Sequence, residues 1–321
     1  MGRAVLRAFF LSFYTLNATL LGNTSTMSVA SGIIDGLLRL SGASKEITEN
    51  AFYKEMRKSA IEIEKEAFRR YRFSGVRMEN GVYCGMNYLL FFPEVCESTK
   101  CVMYIHGSGY MKECRHTQLR FGAELAKNLH AKVYFPFYPK LPAATVVSSF
   151  ALLNNFYAFL AKKGEVCLVG DSSGASLALS LAAEQASVRS VVAISPWVLL
   201  RVGKEGRNVS TDLMLSLSRL EYAAEIWRNG LEAEDVRLSP FYGRYAGKRL
   251  LLVAGEKELF RPDILRFFHE QSQKGTEVTY LEGKGQQHCF PLMPTPEGKA
   301  AREEIYRKMR VSLYGERVRC L

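Results

Sequence analysis

The sequence predicts an α/β fold built on a mostly parallel sheet with helices on both faces. Short apolar runs, of the length expected for buried strands, alternate with longer segments of helix-forming residues along most of the 321-residue chain. One of these runs leads into a Gly-x-Ser-x-Gly motif, Gly170 to Gly174, and a helical segment follows at once. Strands buried on both faces are typical of parallel sheets. Since no repeat, low-complexity tract or linker interrupts the pattern, we expect one main domain.

Composition and charge narrow the class of protein. Hydrophobic residues make up 48% of the chain, which is sufficient for a full core, and the formal net charge is +11. We interpret the positive charge first as a general bias of the surface, and second as a source of attraction to anionic membranes or polyanions. No run of Arg and Lys is interleaved with aromatic residues, so nucleic acid is not an expected partner. The seven cysteines form no Cys-x-x-Cys pair, so the pattern predicts neither a zinc knuckle nor a thioredoxin-like site.

The N-terminal region differs from the rest of the chain. Residues 1–34 contain arginine but neither Asp nor Glu, and an apolar stretch runs from Ala8 to Leu21. The basic start, the short apolar middle and the small residues 28–30 favour a signal peptide or signal anchor. A mitochondrial presequence and an amphipathic helix across the mouth of the site are the alternatives. We therefore expect residues 1–75 to form a targeting or anchor segment that also contributes to a cap.

The other elements follow in order along the chain. Residues 51–70 are predicted to form a helix, because their apolar side chains recur every three or four positions. Gly81 to Phe92 then has the composition of strand material. Further strands are predicted over residues 101–105, 132–137, 166–169, 188–194, 249–254 and 277–281. Further helices are predicted over residues 116–129, 144–162, 173–186, 262–273 and 297–313. We expect the main domain to extend from residue 76 to residue 321.

The Gly-x-Ser-x-Gly motif places Ser172 at a sharp turn between a strand and a helix. At such a turn the middle residue has a strained backbone, and the flanking residues must be glycine because a Cβ would collide with the neighbouring strand and helix. Ser172 would then point into a site with the N-terminus of the helix beneath it. An ordinary turn rich in glycine and serine is the alternative. The prediction that Ser172 is a nucleophile therefore depends on partners elsewhere in the chain.

A nucleophilic serine requires a base, and the base requires an orienting acid. Of the five histidines, His288 alone lies in a loop directly after the last predicted strand, where the base of this kind of site is found. The acid is expected at the end of the preceding strand. Glu258 is the first choice there, and Glu256 and Asp263 remain alternatives.

A second glycine-rich turn, His106 to Tyr110, follows the strand predicted over residues 101–105. Backbone N–H groups in such a turn can approach a ligand without obstruction by side chains. Two of them, together with the N–H of Ser173, would bind the negative oxygen that forms when Ser172 attacks an ester. The alternative is a tight turn with no further role, but its position, one βα unit plus a strand before the serine motif, favours an oxyanion hole.

These motifs resemble those of the hormone-sensitive-lipase-like branch of the α/β-hydrolases, which includes microbial esterases, arylacetamide deacetylase and steryl acetyl hydrolases. Residues 106–110 match the family's His-Gly-Gly-Gly-Phe/Tyr turn, with Ser108 replacing a glycine. Residues 170–175 match its Gly-Asp-Ser-Ala-Gly-Gly motif, with Ser173 replacing the Ala and Ala175 replacing the last Gly.

Three further motifs extend the resemblance over roughly residues 80–313. Glu258 stands where the family has Asp, and His288-Cys289-Phe290 matches the family's His-x-Phe. Tyr138-Pro139-Lys140-Leu141-Pro142 is similar to the family's Tyr-Arg-Leu-Ala-Pro segment. Several motifs in the family's order are more specific than any one of them.

The resemblance implies an α/β-hydrolase fold with a helical cap inserted at about residues 197–240. It also implies a serine carboxylic-ester hydrolase that acts through an acyl-enzyme, with a small-molecule ester as partner and without a metal or organic cofactor. The implied catalytic residues are Ser172, Glu258 and His288. The implied oxyanion hole consists of the N–H groups of Ser108, Gly109 and Ser173, with Gly107 shaping the turn.

The expected substrate is an ester of a hydrophobic alcohol with a short acyl group, because the segment Pro196 to Leu200 adds apolar residues near the site. A deacetylase of sterol- or lipid-like acetyl esters at the endoplasmic reticulum, membrane-associated or lumenal, fits this description, with a cytoplasmic location as the alternative. An arylformamidase of the kynurenine pathway has a similar glycine turn. A non-catalytic ligand receptor on the same fold, like the gibberellin receptors, would lack the base that His288 supplies.

Overall fold

A computed structural model describes residues 27–66, 72–93, 100–202 and 211–314. In this part of the chain, eight strands form one sheet in the order β1-β2-β4-β3-β5-β6-β7-β8. The strands are β1 (Val76–Tyr83), β2 (Met86–Pro93), β3 (Cys101–Ile105), β4 (Lys132–Pro136), β5 (Val166–Asp171), β6 (Ser190–Ile194), β7 (Arg249–Gly255) and β8 (Glu277–Gly283). The α-helices are α1 (Val29–Ser41), α2 (Glu49–Glu66), α3 (His116–Leu129), α4 (Val146–Ala161), α5 (Ser173–Glu184), α6 (Leu217–Arg228), α7 (Arg261–Gln273) and α8 (Pro296–Tyr314).

The predicted mostly parallel sheet is confirmed, and its antiparallel part lies at one edge. Strands β3 to β8 pair in parallel, whereas β1 pairs antiparallel with β2 and β2 antiparallel with β4. The stretch Gly81 to Phe92, predicted as strand material, contains the end of β1, a turn and most of β2, because the chain reverses there. Cys84 and Gly85 both have positive φ, at 48° and 81°, as a two-residue hairpin turn requires.

Helices cover both faces of the sheet, as predicted. On one face, α4, α5 and α7 contribute side chains such as Phe150, Leu177 and Phe267 to a buried core. On the other face, α3 and α8 contribute a second core that includes Leu119 and Ile305. The central strands are buried throughout, since neither face is open to water. This arrangement leaves the carboxyl ends of the parallel strands as the edge at which a site can form.

The N-terminal helices pack against the segment that follows β6. The side chain of Arg219 in α6 lies 2.9 Å from the carboxylate of Glu55 in α2, and the rings of Phe52 and Tyr222 are 5.5 Å apart. Glu46 accepts hydrogen bonds from the first backbone N–H groups of α6, where a negative charge is favourable. Residues 27–66 and α6 are therefore joined by charged and aromatic contacts.

The apolar stretch Ala8 to Leu21, on which the predicted signal or anchor depends, lies outside the described residues. Among the residues that are described, no helix is both long enough and apolar enough to cross a bilayer. The small residues 28–30 open α1, where the Ser28 hydroxyl accepts a hydrogen bond from the N–H of Ser31. Ser28 also donates its own N–H to Glu297 at 2.6 Å, which fixes the start of α1 to α8.

Candidate active site

Ser172 occupies the turn between β5 and α5 in a strained conformation. Its φ of 52° and ψ of −126° are rare for a residue with a Cβ, and its N–H donates to the carbonyl of Ile194 at 2.8 Å. A Cβ on Gly170 would lie 2.5 Å from the carbonyl oxygen of Gly174, and one on Gly174 would collide with the carbonyl oxygen of Ile105. The two glycines are therefore needed for the turn, as the motif predicts.

The structure brings Ser172, His288 and Glu258 together in one hydrogen-bonded row. Nε2 of His288 lies 2.9 Å from Oγ of Ser172, and Nδ1 of His288 lies 3.1 Å from Oε2 of Glu258. In the tautomer with its hydrogen on Nδ1, the ring donates to Glu258 and accepts the hydroxyl hydrogen of Ser172. Glu258 and His288 are buried, while Ser172 is partly exposed. This is the order of a nucleophile, a base and an orienting acid.

The loops that carry the acid and the base are fixed to each other. The N–H of Lys257 donates to the carbonyl of Gln286 at 3.0 Å, and a Cβ on Gly255 would lie 2.5 Å from that carbonyl oxygen. Glu256 accepts the N–H of Gly285 at 2.7 Å, so this alternative acid supports the base loop. The other alternative, Asp263, lies in the first turn of α7. Of the three predicted acids, the structure places Glu258 at the ring.

Burial and charge oppose each other at this row. Burial disfavours the imidazolium, but contacts with Cys289 and Glu258 outweigh it and raise the pKa of His288 well above its ordinary value. Burial also raises the pKa of the Cys289 thiol, which is therefore neutral near pH 7, so we assign the effect on His288 to the Glu258 carboxylate. Burial raises the pKa of Glu258 as well, although its hydrogen bond and charge interaction with His288 act in the opposite direction.

The glycine turn after β3 is hydrogen-bonded along its backbone. Tyr138 donates its hydroxyl to the carbonyl of His106 at 3.0 Å, and the N–H of Gly107 donates to Asp171 at 3.0 Å. The N–H of Ser108, one of the three predicted oxyanion donors, instead donates to the side-chain Oγ of Ser173 at 3.0 Å. The glycine turn packs beside the nucleophile at Gly107, and the amides of Gly107 and Ser108 are both already bonded.

The sequence analysis missed the buried residues that hold this turn. The carboxylate of Asp171 accepts hydrogen bonds from Tyr104 at 2.8 Å, from Gln118 at 2.7 Å and from the N–H of Gly107. Gln118 also donates to the carbonyl of Gly107 at 2.8 Å. A charged residue at the end of an apolar strand, Asp171, was the one available signal. Gln118 lies on the helix that follows the turn, and nothing in the local sequence indicates its bond to Asp171, 53 residues further along the chain.

A row of aromatic rings extends from the base into the segment after β6. The ring of Phe260 lies 5.4 Å from that of His288 and 5.6 Å from that of Trp197. Tyr110, the last residue of the oxyanion turn, stacks against the indoles of Trp197, at 5.4 Å, and Trp227, at 4.4 Å. The side chains of Tyr110, Trp197 and Trp227 are buried. The site is therefore walled by rigid apolar surface on this side.

Comparison with protein families places this geometry in a known group. The model of a family described as alpha/beta hydrolase fold matches residues 102–292, which include the oxyanion turn, the serine turn and the base loop. A comparison with curated protein sequences finds no significant match.

Several solved structures share the fold. An esterase/lipase from an uncultured bacterium superposes with a TM-score of 0.78 at 19% identity, over 89% of this chain and 99% of that chain. The esterase EstE5 gives 0.78 at 20% identity, over 89% and 99%. An esterase of the bacterial hormone-sensitive lipase family gives 0.77 at 18% identity, over 90% and 99%.

Proposed function

Because this chain belongs to the α/β-hydrolase family and is similar in structure to esterases, we propose that it is a serine carboxylic-ester hydrolase that acts on acetyl esters of hydrophobic, sterol- or lipid-like alcohols. The main support for ester hydrolysis is the row from Ser172 through His288 to Glu258, with both hydrogen bonds in place. A receptor that has lost its base would not retain this row.

The reaction follows from the geometry in two halves. Oγ of Ser172 attacks the ester carbonyl while its proton passes to Nε2 of His288, and Glu258 stabilises the resulting imidazolium. The tetrahedral intermediate then breaks its bond to the alcohol, which takes the proton from His288 and leaves an acyl group on Ser172. Water attacks this acyl-enzyme while His288 accepts its proton. The second tetrahedral intermediate then breaks its bond to Oγ of Ser172, which takes the proton back from His288 as the carboxylic acid departs.

Specificity for a short acyl group is supported by the aromatic row. Tyr110 is the last residue of the oxyanion turn, and the indoles of Trp197 and Trp227 both stack against its ring. We expect rings packed in this way to limit the length of an acyl chain beside the carbonyl, whereas their apolar faces suit a hydrophobic substrate. The proposal of an acetyl ester with a hydrophobic alcohol rests on this packing.

We expect kcat/KM on p-nitrophenyl esters to be highest for acetate and to fall by roughly 10-fold or more towards octanoate, since each methylene must be accommodated by the aromatic row. Trp227→Leu removes one ring of the row and is expected to shift the optimum towards longer acyl groups. Phe267→Leu, at a buried ring in α7 that contacts Phe241 and Tyr245 instead, is the matched control.

Rate measurements on this and other substrates distinguish the proposed esterase from the other candidate functions. A parent enzyme with equal rates on all chain lengths would contradict the role of the aromatic row, as would an identical shift in Phe267→Leu. Turnover of N-formyl arylamines without turnover of any ester would favour an arylformamidase. Turnover of model esters without release of acetate from sterol acetates would remove the proposed alcohol class.

We also propose that the enzyme associates with anionic membranes at the endoplasmic reticulum. Support comes from the apolar stretch Ala8 to Leu21, from the net charge of +11 and from two exposed apolar residues of α1, Val29 and Leu40. The full-length protein is expected to sediment with vesicles that contain phosphatidylserine, and less so as the salt concentration rises. Full recovery in the supernatant, or fractionation of the tagged protein away from that organelle in cells, would contradict the proposal.

A further inference from the structure

Two departures from the related motifs contact each other in this structure. Ser108 stands where the similar turn has glycine, and Ser173 stands where the similar serine motif has alanine. The backbone N–H of Ser108 donates to Oγ of Ser173 at 3.0 Å. An alanine at position 173 would offer no acceptor, so this hydrogen bond is a consequence of the serine.

The Ser108 amide has little freedom to turn towards a substrate. The hydroxyl of Ser108 lies 3.3 Å from the hydroxyl of Tyr138. The Tyr138 hydroxyl in turn donates to the carbonyl of His106. The carbonyl of Ser108 accepts the N–H groups of Met111 and Lys112 at 3.3 Å and 3.1 Å. The acceptor is equally fixed, because the side chain of Ser173 is buried at the start of α5.

Two amides remain for an oxyanion. Ser173 is the first residue of α5, so its N–H has no acceptor within the helix. The N–H of Gly109 makes no backbone hydrogen bond in the part of the chain that the structure describes, and Gly109 has a φ of 59°. Ser173 follows Ser172 directly in the chain, and Gly109 belongs to the oxyanion turn that packs beside it.

We propose that Oγ of Ser173 withdraws the Ser108 amide from the oxyanion hole, so that the N–H groups of Gly109 and Ser173 act as its two donors. The hydroxyl of Ser173 is thus a positioning group that attenuates the reaction, since an amide bonded equally in the ground state and the transition state contributes nothing to the rate. This inference rests on the proposed esterase function.

The test is Ser173→Ala, which removes the acceptor and frees the Ser108 amide for the oxyanion. Loss of one donor in another serine hydrolase costs about 10²–10³-fold in kcat, so a third donor added to two is expected to raise kcat by roughly 10-fold. KM should change little, and a trifluoromethyl ketone, which forms an oxyanion with Ser172, should bind tighter by a similar factor. Ser173→Cys, with a weaker acceptor, is expected to lie between the parent and Ser173→Ala.

The matched control is Ser180→Ala, in the same helix. Ser180 is also buried, but its hydroxyl donates to the carbonyl of Val236 at 2.7 Å, away from the turn. This variant loses one buried hydrogen bond and should keep the parental kcat and ketone affinity. A Ser173→Ala enzyme that is folded but equal to or slower than the parent would overturn the inference.

Amide exchange separates this inference from the proposed function. The Ser108 amide is expected to exchange with deuterium faster in Ser173→Ala than in the parent, measured by NMR without substrate. Equal exchange would overturn the inference even if no ester is hydrolysed. A parent that hydrolyses no ester but shows the exchange difference would overturn the proposed function alone.

Discussion

Ser172→Ala is expected to lower kcat on p-nitrophenyl acetate by about 10⁵–10⁶-fold, because no other group in the row can form the acyl-enzyme. The hydroxyl contributes little to the core, as the side chain is partly exposed at the turn. The melting temperature should therefore remain close to that of the parent. Steady-state hydrolysis measured beside a thermal scan of both proteins provides the comparison.

The control for this variant is again Ser180→Ala, which removes a hydroxyl from the helix that follows the nucleophile. Ser180→Ala should retain parental turnover. If Ser172→Ala kept more than about a hundredth of the parental kcat, the hydrolysis would have to come from another nucleophile or from a water-based route.

Glu258→Gln is expected to lower kcat by about 10⁴-fold, because the amide keeps the shape of the side chain but loses the charge that orients and stabilises the imidazolium. Glu256→Gln is the matched control. Its amide oxygen can still accept the N–H of Gly285, whereas the carboxylate at Nδ1 of His288 is that of Glu258. A large loss in Glu256→Gln together with a small loss in Glu258→Gln would reassign the acid.

The pH profile of kcat/KM tests the same charge. The Glu258 carboxylate favours the imidazolium and so contributes to a pKa of His288 well above its ordinary value. The base must be neutral to accept a proton, so activity falls as the pH falls through this pKa. The midpoint of the acid limb is expected above about 6.5 in the parent and at a lower pH in Glu258→Gln. A midpoint below 6.5 in the parent, or an upward shift in the variant, would contradict the role of Glu258.

Local patterns were sufficient for most of the fold. The helix predicted over residues 116–129 has those bounds in the structure, because apolar positions recur along it and His130 ends it with a left-handed residue. The strands at the centre of the sheet are short apolar runs with turn residues at their ends, which is why their positions followed from sequence. The position of the hairpin turn at Cys84 did not follow from sequence. A turn without Asn or Asp before its glycine lacks the usual hairpin signal and cannot be told from a strand by its composition.

The candidate site was predictable where a residue type and its order in the chain define the chemistry. Ser172, Glu258 and His288 each follow a strand, and parallel strands bring their carboxyl ends to one edge. Contacts between distant segments were not predictable. The hydrogen bond from Ser108 to Ser173 depends on the packing of two turns, and the stacking of Tyr110 against Trp197 and Trp227 depends on how the segment after β6 folds back.

Trapping the acyl-enzyme tests directly whether Ser172 is the nucleophile of an ester hydrolase. The parent is mixed with p-nitrophenyl acetate, quenched in acid within the first turnovers and digested, and the modified peptide is identified by mass spectrometry. We expect one acetyl group on Ser172, formed with a burst of p-nitrophenol of about one equivalent and absent from Ser172→Ala. An acetyl group on another residue, or steady turnover with neither a burst nor an adduct, would contradict this expectation.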